Sequence, residues 1–358
     1  MEEPPYTLQR LGVIMAPDSD DPMQAWGVLN PACARSRDGD LWLFPRLVAK
    51  GNYSRIGRAL VSYDGAGAPA GVGELGVVLS PDESWEQNAG TSGVEDPRIT
   101  FIETLDVYVM AYSAYGPLGS RIGLAYSADL AVWHRLGPAS FAYDPSLRAD
   151  LNLYANKDAM LFPEVVAAPD GTPSYAMLHR PVWDLSWIRP GEREPLPAGL
   201  HEARPGIWVS FVPALAVEAD LVNLPRFTQH HLVALPEKPW EALKIGGGTP
   251  PVRVPEGWLI LHHGVDGNIV TGRDLQPGVL YSAGAMLLDV DDVSRVVARS
   301  NTPLLEPSHE LERDGIVPNV VFPTGIDVRA DGSADVFYGM ADSRIGAARL
   351  TYVDAAPA

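Results

Sequence analysis

A chain of 358 residues, 46% hydrophobic and 20% charged, has the composition of a globular protein with apolar mass for a large core. Its formal net charge of −18 disfavours nucleic acid and anionic membrane as partners, and no run of about 18 apolar residues offers a membrane span. Cys33 is the single cysteine, which excludes an internal disulfide and suits a reducing compartment; since MEEPPYTLQRLGV lacks the basic-then-apolar order of a signal peptide, the expected location is the cytoplasm.

Taken in chain order, the apolar segments are short. DGDLWLFPRLVAKG comes first, followed by SRIGRALVSYDG, DVYVMAYSAYG, SRIGLAYSADLAVW, SYAMLHRP, GIWVSFVPAL, GWLILHHGV, LYSAGAMLLDV, ADVFYGMAD and SRIGAARLTYVD. They are rich in Val, Tyr, Trp and Leu and bounded by Gly, Asp, Ser or Pro, which are the marks of antiparallel strands. The only helical expectation of note is a short connector in DVDDVSRVVARS, from Asp289.

The four letters SRIG occur at Ser54, Ser120 and Ser343, each beside an apolar run, with weaker echoes from Gly206 and Leu280. These five starts are spaced by about 60 to 90 residues, which leaves room for loop insertions in a repeated unit. Five units of three or four strands predict an all-β chain folded as a five-bladed β-propeller, a single domain spanning residues 1–358. A pair of β-sandwiches is the alternative, but sandwiches require no repeated motif.

The densest polar cluster is GVEDPRIT, Gly93 to Thr100. Asp96 precedes proline and so leaves the right-handed helical region. It reads either as a general acid, if burial raises its pKa, or as a turn aspartate paired with Arg98. In NKDAMLFPE, Lys157 is either an anion-binding point charge or part of a solvated turn. His179 and Arg180 end one strand, and His262 and His263 end another. Neighbours on a strand face opposite ways, so one of His262 and His263 is expected in the channel and the other in a structural role; no ligand spacing suggests a metal. KIGGGTPP, Lys244 to Pro251, lacks the order of a phosphate-binding P-loop, and its glycines are expected to let backbone approach a ligand closely.

Together the motifs NPA (from Asn30), the strand carrying Arg46, SRIG, GVEDPRIT, NKDAMLFPE, LHRP, KIGGGTPP, GWLILHHG, YSAGAMLLD, VPNVVFPTG and YGMAD resemble, in order, glycoside hydrolase family 130, the β-mannoside phosphorylases and their hydrolase relatives. That resemblance implies a five-bladed propeller and a set of roles. Asp96 matches the proton donor, thought to act through a sugar hydroxyl. Lys157, Arg180 and His263 match phosphate-holding positions, with Arg46 close to both sugar and phosphate, and Asn30 and Asp342 match the −1 sugar subsite. Glu95, Asp158 and His179, beside matched positions, complete the substrate-binding candidates.

The expected activity is inverting phosphorolysis of β-linked manno-oligosaccharides to α-mannose 1-phosphate, with inorganic phosphate as co-substrate and no cofactor or metal. A phosphorylase needs one acid, because phosphate is the nucleophile. An inverting hydrolase needs a second carboxylate roughly 6.5–9.5 Å away, for which Glu164, Glu306 and Glu310 are candidates. A non-catalytic sugar-binding propeller has no use for a basic cluster. The resemblance departs around residues 183–205, an insertion expected to loop over the channel mouth or to pack against a neighbouring subunit of a homo-oligomer.

Overall fold

The structure, a computed structural model, describes residues 3–88, 92–184, 196–268 and 278–353. Those residues are almost entirely β-strands, with two short α-helices, Ala214–Ala219 and Glu310–Arg313, and a few single 3-10 turns. The expected helix after Asp289 is not one of them. The Asp289 carboxylate accepts from the backbone N–H of Asp291 and Asp292, closing a turn, and the chain continues as the strand Val296–Arg299. Most of the 183–205 insertion, residues 185–195, lies outside the described residues.

Hydrogen bonds group the strands into sheets of four, six, five and eight. The eight-stranded sheet is two groups of four joined by one parallel pairing, Ser54 with Gly93. With the shortest added strands set aside, the described strands form five antiparallel units of four. Unit I is Gly27–Arg35, Leu41–Ala49, Tyr53–Tyr63 and Pro69–Leu79; unit II is Gly93–Ile102, Val107–Gly116, Gly119–Ser127 and His134–Pro138. Unit III is Ala155–Leu161, Pro173–Val182, Ile207–Pro213 and Arg226–Ala234; unit IV is Lys244–Gly247, Gly257–Gly267, Val279–Leu288 and Val296–Arg299. Unit V is Val321–Val328, Ala334–Met340 and Arg344–Tyr352, completed by the N-terminal strand Tyr6–Met15, which pairs antiparallel with Arg344–Tyr352. The two ends of the chain thus close one sheet together.

Each unit packs on the next. Apolar clusters join I to II (Phe44 with Met110), II to III (Val109 with Met177), III to IV (Leu178 with Ile260) and IV to V (Leu261 with Val336). A further cluster joins V back to I, where Phe337 packs with Leu43. Alternate residues of one strand serve opposite interfaces, as with Leu43 and Phe44, Val109 and Met110, or Ile260 and Leu261. Where both faces are covered, as on the second strands Val107–Gly116 and Gly257–Gly267, the sequence is a largely apolar run without a polar alternation.

The glycine of SRIG has a packing reason. A Cβ on Gly123 would lie 2.4 Å from the Tyr112 ring, and one on Gly346 would lie 2.6 Å from the Tyr338 ring. Each tyrosine stands on the second strand directly opposite that glycine on the third. In these two copies the glycine marks where a large ring crosses a neighbouring backbone; in the first, a Cβ on Gly57 would lie 2.8 Å from Leu75 Cδ1. Gly346→Ala is expected to lower stability by about 1–3 kcal/mol through overpacking, measured by urea unfolding. Gly76→Ala, whose new Cβ meets nothing within 4 Å, is the control and should be neutral within about 0.5 kcal/mol.

Candidate active site

The polar residues converge because the first strands are bulged at one recurring position. Register shifts fall between Leu29 and Ala32, Glu95 and Arg98, and Lys157 and Met160. Within them Asn30, Asp96 and Asp158 take φ of 42°, 49° and 56°. Asn and Asp tolerate this left-handed region better than other side chains, and a bulge there re-aims a side chain that regular pleating would bury between sheets.

The second strands contribute from matching registers. Arg46 pairs with Leu29, Ser113 with Glu95, Arg180 with Lys157, His263 with Gly246 and Gly339 with Phe322. Each lies opposite the same stretch of its first strand. The residue just before each one faces the other way, and these are Pro45, Tyr112, His179, His262 and Tyr338. This alternation sorts the histidines. His263 lines the cavity, whereas His262 is buried against Glu241, its Nε2 3.0 Å from Oε1. His179, expected to bind substrate, occupies the same position as His262 and does not line the cavity. It is buried between Asn156 and Ser210, with Nε2 2.7 Å from the Ser210 hydroxyl.

One cavity of about 150 Å³ is lined by Asn30, Arg46, Asp96, Lys157, Asp158, Arg180, Lys244, His263, Tyr281 and Asp342, with Val317, Val320 and Phe322 as its apolar part. It therefore gathers Asp96 and all four expected phosphate positions. Glu95 lies in an adjoining cavity of about 250 Å³ with Trp26, Asn52 and Tyr115, which shares Arg46, Lys157 and Asp342 with the first. The exposed Glu164, Glu306 and Glu310 line none of these, so the acidic candidates for a hydrolytic base are misplaced.

Asp96 is not paired with the Arg98 guanidinium through its carboxylate. Its Oδ1 accepts from Asn30 Nδ2 at 2.8 Å and from Arg46 Nη1 at 3.1 Å. Arg98 instead donates to the Asp96 backbone carbonyl and, across to unit IV, to the carbonyls of Gly247 and Gly248. The glycines of KIGGGTPP thus admit protein groups. A Cβ on Gly246 would lie 2.4 Å from Asp158 Oδ2, and one on Gly247 would lie 2.5 Å from Met160 Cε.

Charge balance decides the protonation states. Burial pushes Asp96 upward, but Arg46, Lys157 and Arg98 outweigh it and hold the carboxyl below the usual range, contrary to the raised value expected from burial alone. Asp158 is depressed in the same way, with Arg180 Nε 2.6 Å from Oδ2 and His263 and Arg98 nearby. Burial raises Glu95, and pushes Asp342 up to about 6. Burial also keeps His263 neutral, and its Nδ1 has no partner among the described residues.

Two polar lining residues were not among the sequence candidates. Lys244, just ahead of the glycine run, places its amine 5.4 Å from the Tyr281 ring, and it is driven down to about 7 by burial and then by Arg180 and Lys157. Tyr281 is pushed up to about 12 by burial. Four cationic side chains, Arg46, Lys157, Arg180 and Lys244, thus face an enclosed space beside Asp96, an arrangement that can seat a compact anion next to a carboxyl group. Among the described residues no three His, Cys, Asp or Glu side chains are grouped to hold a metal ion.

A family model described as β-1,4-mannooligosaccharide phosphorylase matches residues 5–355. A 1,2-β-oligomannan phosphorylase of a Thermoanaerobacter species is 30% identical over 345 residues, 95% of either chain. A β-1,2-mannobiose phosphorylase from the same source is 33% identical over 304 residues, 82% of this chain and 76% of that one. Among solved structures, β-1,2-mannobiose phosphorylase from Listeria innocua, in complex with β-1,2-mannobiose, superposes with a TM-score of 0.67 at 22% identity, covering 96% of each chain, and shares the all-β fold.

The titration of Lys244 and Asp342 gives anion binding a predicted direction. As pH rises from 6 to 8 the first loses its positive charge and the second gains a negative one, and both changes weaken an anion in the cavity. Sulfate stays a dianion over that range, so calorimetric titration should show its affinity falling with pH, and Lys244→Met should weaken binding and flatten the dependence. An affinity that is constant across the range would contradict the assignment.

Proposed function

Since the chain belongs to glycoside hydrolase family 130, we propose that it is an inverting phosphorylase of β-linked manno-oligosaccharides working as one five-bladed propeller. The cyclic packing of unit I on unit V supports the propeller, with the first strands around its axis. The observation that carries the activity is the shared cavity, which holds one candidate acid, Asp96, and a basic set, Lys157, Arg180 and Lys244, in a chain whose composition is otherwise acidic.

Hydrogen phosphate binds to Lys157, Arg180 and Lys244, with His263 and Arg46 at its edge. The −1 mannose lies against Asn30 and Asp342, and the leaving sugar extends into the cavity with Trp26 and Tyr115. A phosphate oxygen attacks the anomeric carbon as the glycosidic C–O bond breaks on the opposite face. The leaving oxygen takes a proton that originates at Asp96, relayed through a sugar hydroxyl. The proton of hydrogen phosphate replaces it, so α-mannose 1-phosphate and a shortened sugar account for all atoms.

The low pKa of Asp96 in the ligand-free site fits this order. Lys157 is one of the charges that hold the carboxylate deprotonated. A dianion seated on Lys157 and Arg180 offsets that field and raises the proton affinity of Asp96, so the acid is loaded when the nucleophile arrives. No organic cofactor or metal is needed for any of these steps. No helix among the described residues is long and apolar enough to cross a membrane.

Breakdown of β-1,2- and β-1,4-linked oligomannans should require added phosphate and release mannose 1-phosphate, followed by chromatography and phosphorus NMR. Asp96→Asn is expected to reduce turnover about 10²–10⁴-fold while phosphate affinity stays within about threefold. Full activity in phosphate-free buffer would sink the phosphorylase reading, and an active Asp96→Asn enzyme would remove that residue from the mechanism.

A further inference from the structure

Three segments share a pattern beyond SRIG: PDESWE (Pro81–Glu86), PEKPWE (Pro236–Glu241) and PSHELE (Pro307–Glu312). Each precedes the first strand of a unit, and each ends in a fully buried glutamate. The three glutamates are bound alike. One carboxylate oxygen accepts from the backbone N–H groups three and four residues back, Asp82 and Glu83, Glu237 and Lys238, or Ser308 and His309. An arginine from the outermost strand of that same unit binds both oxygens and also the carbonyl six residues before the glutamate. For Glu86 this is Arg135, for Glu241 Arg299, and for Glu312 Arg10. The last partner is the outward-facing residue of the second strand, Tyr112, His262 or Tyr338.

In unit IV that last partner links the latch to the cavity, because the next residue along the strand is His263; in units II and V the next residues are Ser113 and Gly339, which do not line it. In unit IV the link is doubled. Glu241 lies three residues before Lys244, and the chain between them is pinned by the Leu243 N–H to the Val265 carbonyl at 2.8 Å. Trp240 lies against the second and third strands on either side of His262, where a Cβ on Gly264 or Gly284 would come within 2.4 and 2.7 Å of its ring. Arg299 is fully buried, whereas the side chains of Arg10 and Arg135 keep 32% and 20% exposure. A buried bidentate pair has few alternative geometries, so its two anchored strands cannot shift independently.

We propose that Glu241, with Arg299 and His262, is the positioning residue of the anion site: it sets Lys244 and His263 at the spacing that phosphate requires, while Glu86 does the equivalent for the strand carrying Asp96. This assignment rests on the phosphorylase reading above. The Glu86 carbonyl accepts from the Gly93 N–H, three residues before Asp96, which ties that latch to the acid and not to the cations.

The test compares Glu241→Gln, the milder His262→Phe, and Glu86→Gln with wild type. It uses calorimetric binding of inorganic phosphate, the KM of an oligomannan acceptor in the synthetic direction, and kcat. Loss of one charge-assisted hydrogen bond at the unit IV latch should weaken phosphate about tenfold or more, with the acceptor KM nearly unchanged. Glu86→Gln should instead lower kcat with phosphate affinity retained. If Glu241→Gln does not fold, His262→Phe alone carries the comparison, since it keeps the Glu241–Arg299 pair. Variants that bind phosphate as wild type does, or that lose phosphate and acceptor affinity in equal proportion, would overturn the assignment. A wild-type protein that binds no phosphate would instead overturn the phosphorylase reading on which it rests.

Discussion

The constraint on which the molecule depends is that every sheet is covered on both faces by its neighbours. Leu43 and Phe44, adjacent on one strand, are buried in different interfaces, and the same is true of Ile260 and Leu261. A polar side chain on a regular strand in this setting must find its partners inside an interface, as His179 and His262 do. Polar chemistry gathers where the pleat is interrupted and at matching registers of the second strands. The bulges at Asn30, Asp96 and Asp158 supply the first, and Arg46, Arg180 and His263 supply the second. Position in the unit, more than residue type, decides which histidine or arginine reaches the cavity.

Enclosing so many charges sets a second requirement, because buried ions are stable only when each has close partners. The cavity meets it with alternating signs. Arg46 bridges Glu95 and Asp96, and Asp158 sits among Arg180, Arg98 and His263. The carboxylates that are well paired, Asp96 and Asp158, are held ionised, whereas Asp342, where burial prevails, is raised toward neutrality. The site is therefore close to electrical balance without ligand, and an entering anion changes the protonation of its surroundings and not only their positions.

Much of this was legible in the residues. SRIG and its echoes counted the units, because a glycine against which a neighbouring strand packs this closely cannot be replaced cheaply. Alternation along a strand foretold that only one of His262 and His263 would face inward. The same rule, applied to YAMLHRP, separates Arg180 from His179, but the pairing of the two segments is visible only once the registers are known. Lys244 escaped notice because a single lysine at a strand start carries no pattern, and the depressed pKa of Asp96 depends on Arg46 and Lys157, 50 and 61 residues away in sequence. The PxxxxE repeat is too sparse to stand out, since its side-chain partners come from two other strands.

The units that lack the glutamate latch show what it is for. Unit I has Pro45 at the outward position, which has no side-chain donor to offer, and Arg46 beside it is held from the cavity side by Ser54, Glu95 and Asp96. Unit III replaces the ion pair by a neutral relay in which His230 contacts the Ala142 carbonyl and the Ser210 hydroxyl, Ser210 contacts His179, and His179 contacts Asn156. Burial keeps both histidines uncharged, so the relay adds no field of its own. Its end point is Asn156, the residue before Lys157. In the two units that contribute Lys157, Arg180 and Lys244, then, the strand is fixed from behind by groups outside the cavity, by an ion pair in unit IV and by neutral hydrogen bonds in unit III. A charged latch next to Lys157 and Arg180 would sit beside the most crowded part of the charge cluster. A neutral one positions the strand and leaves the balance around Asp158 undisturbed.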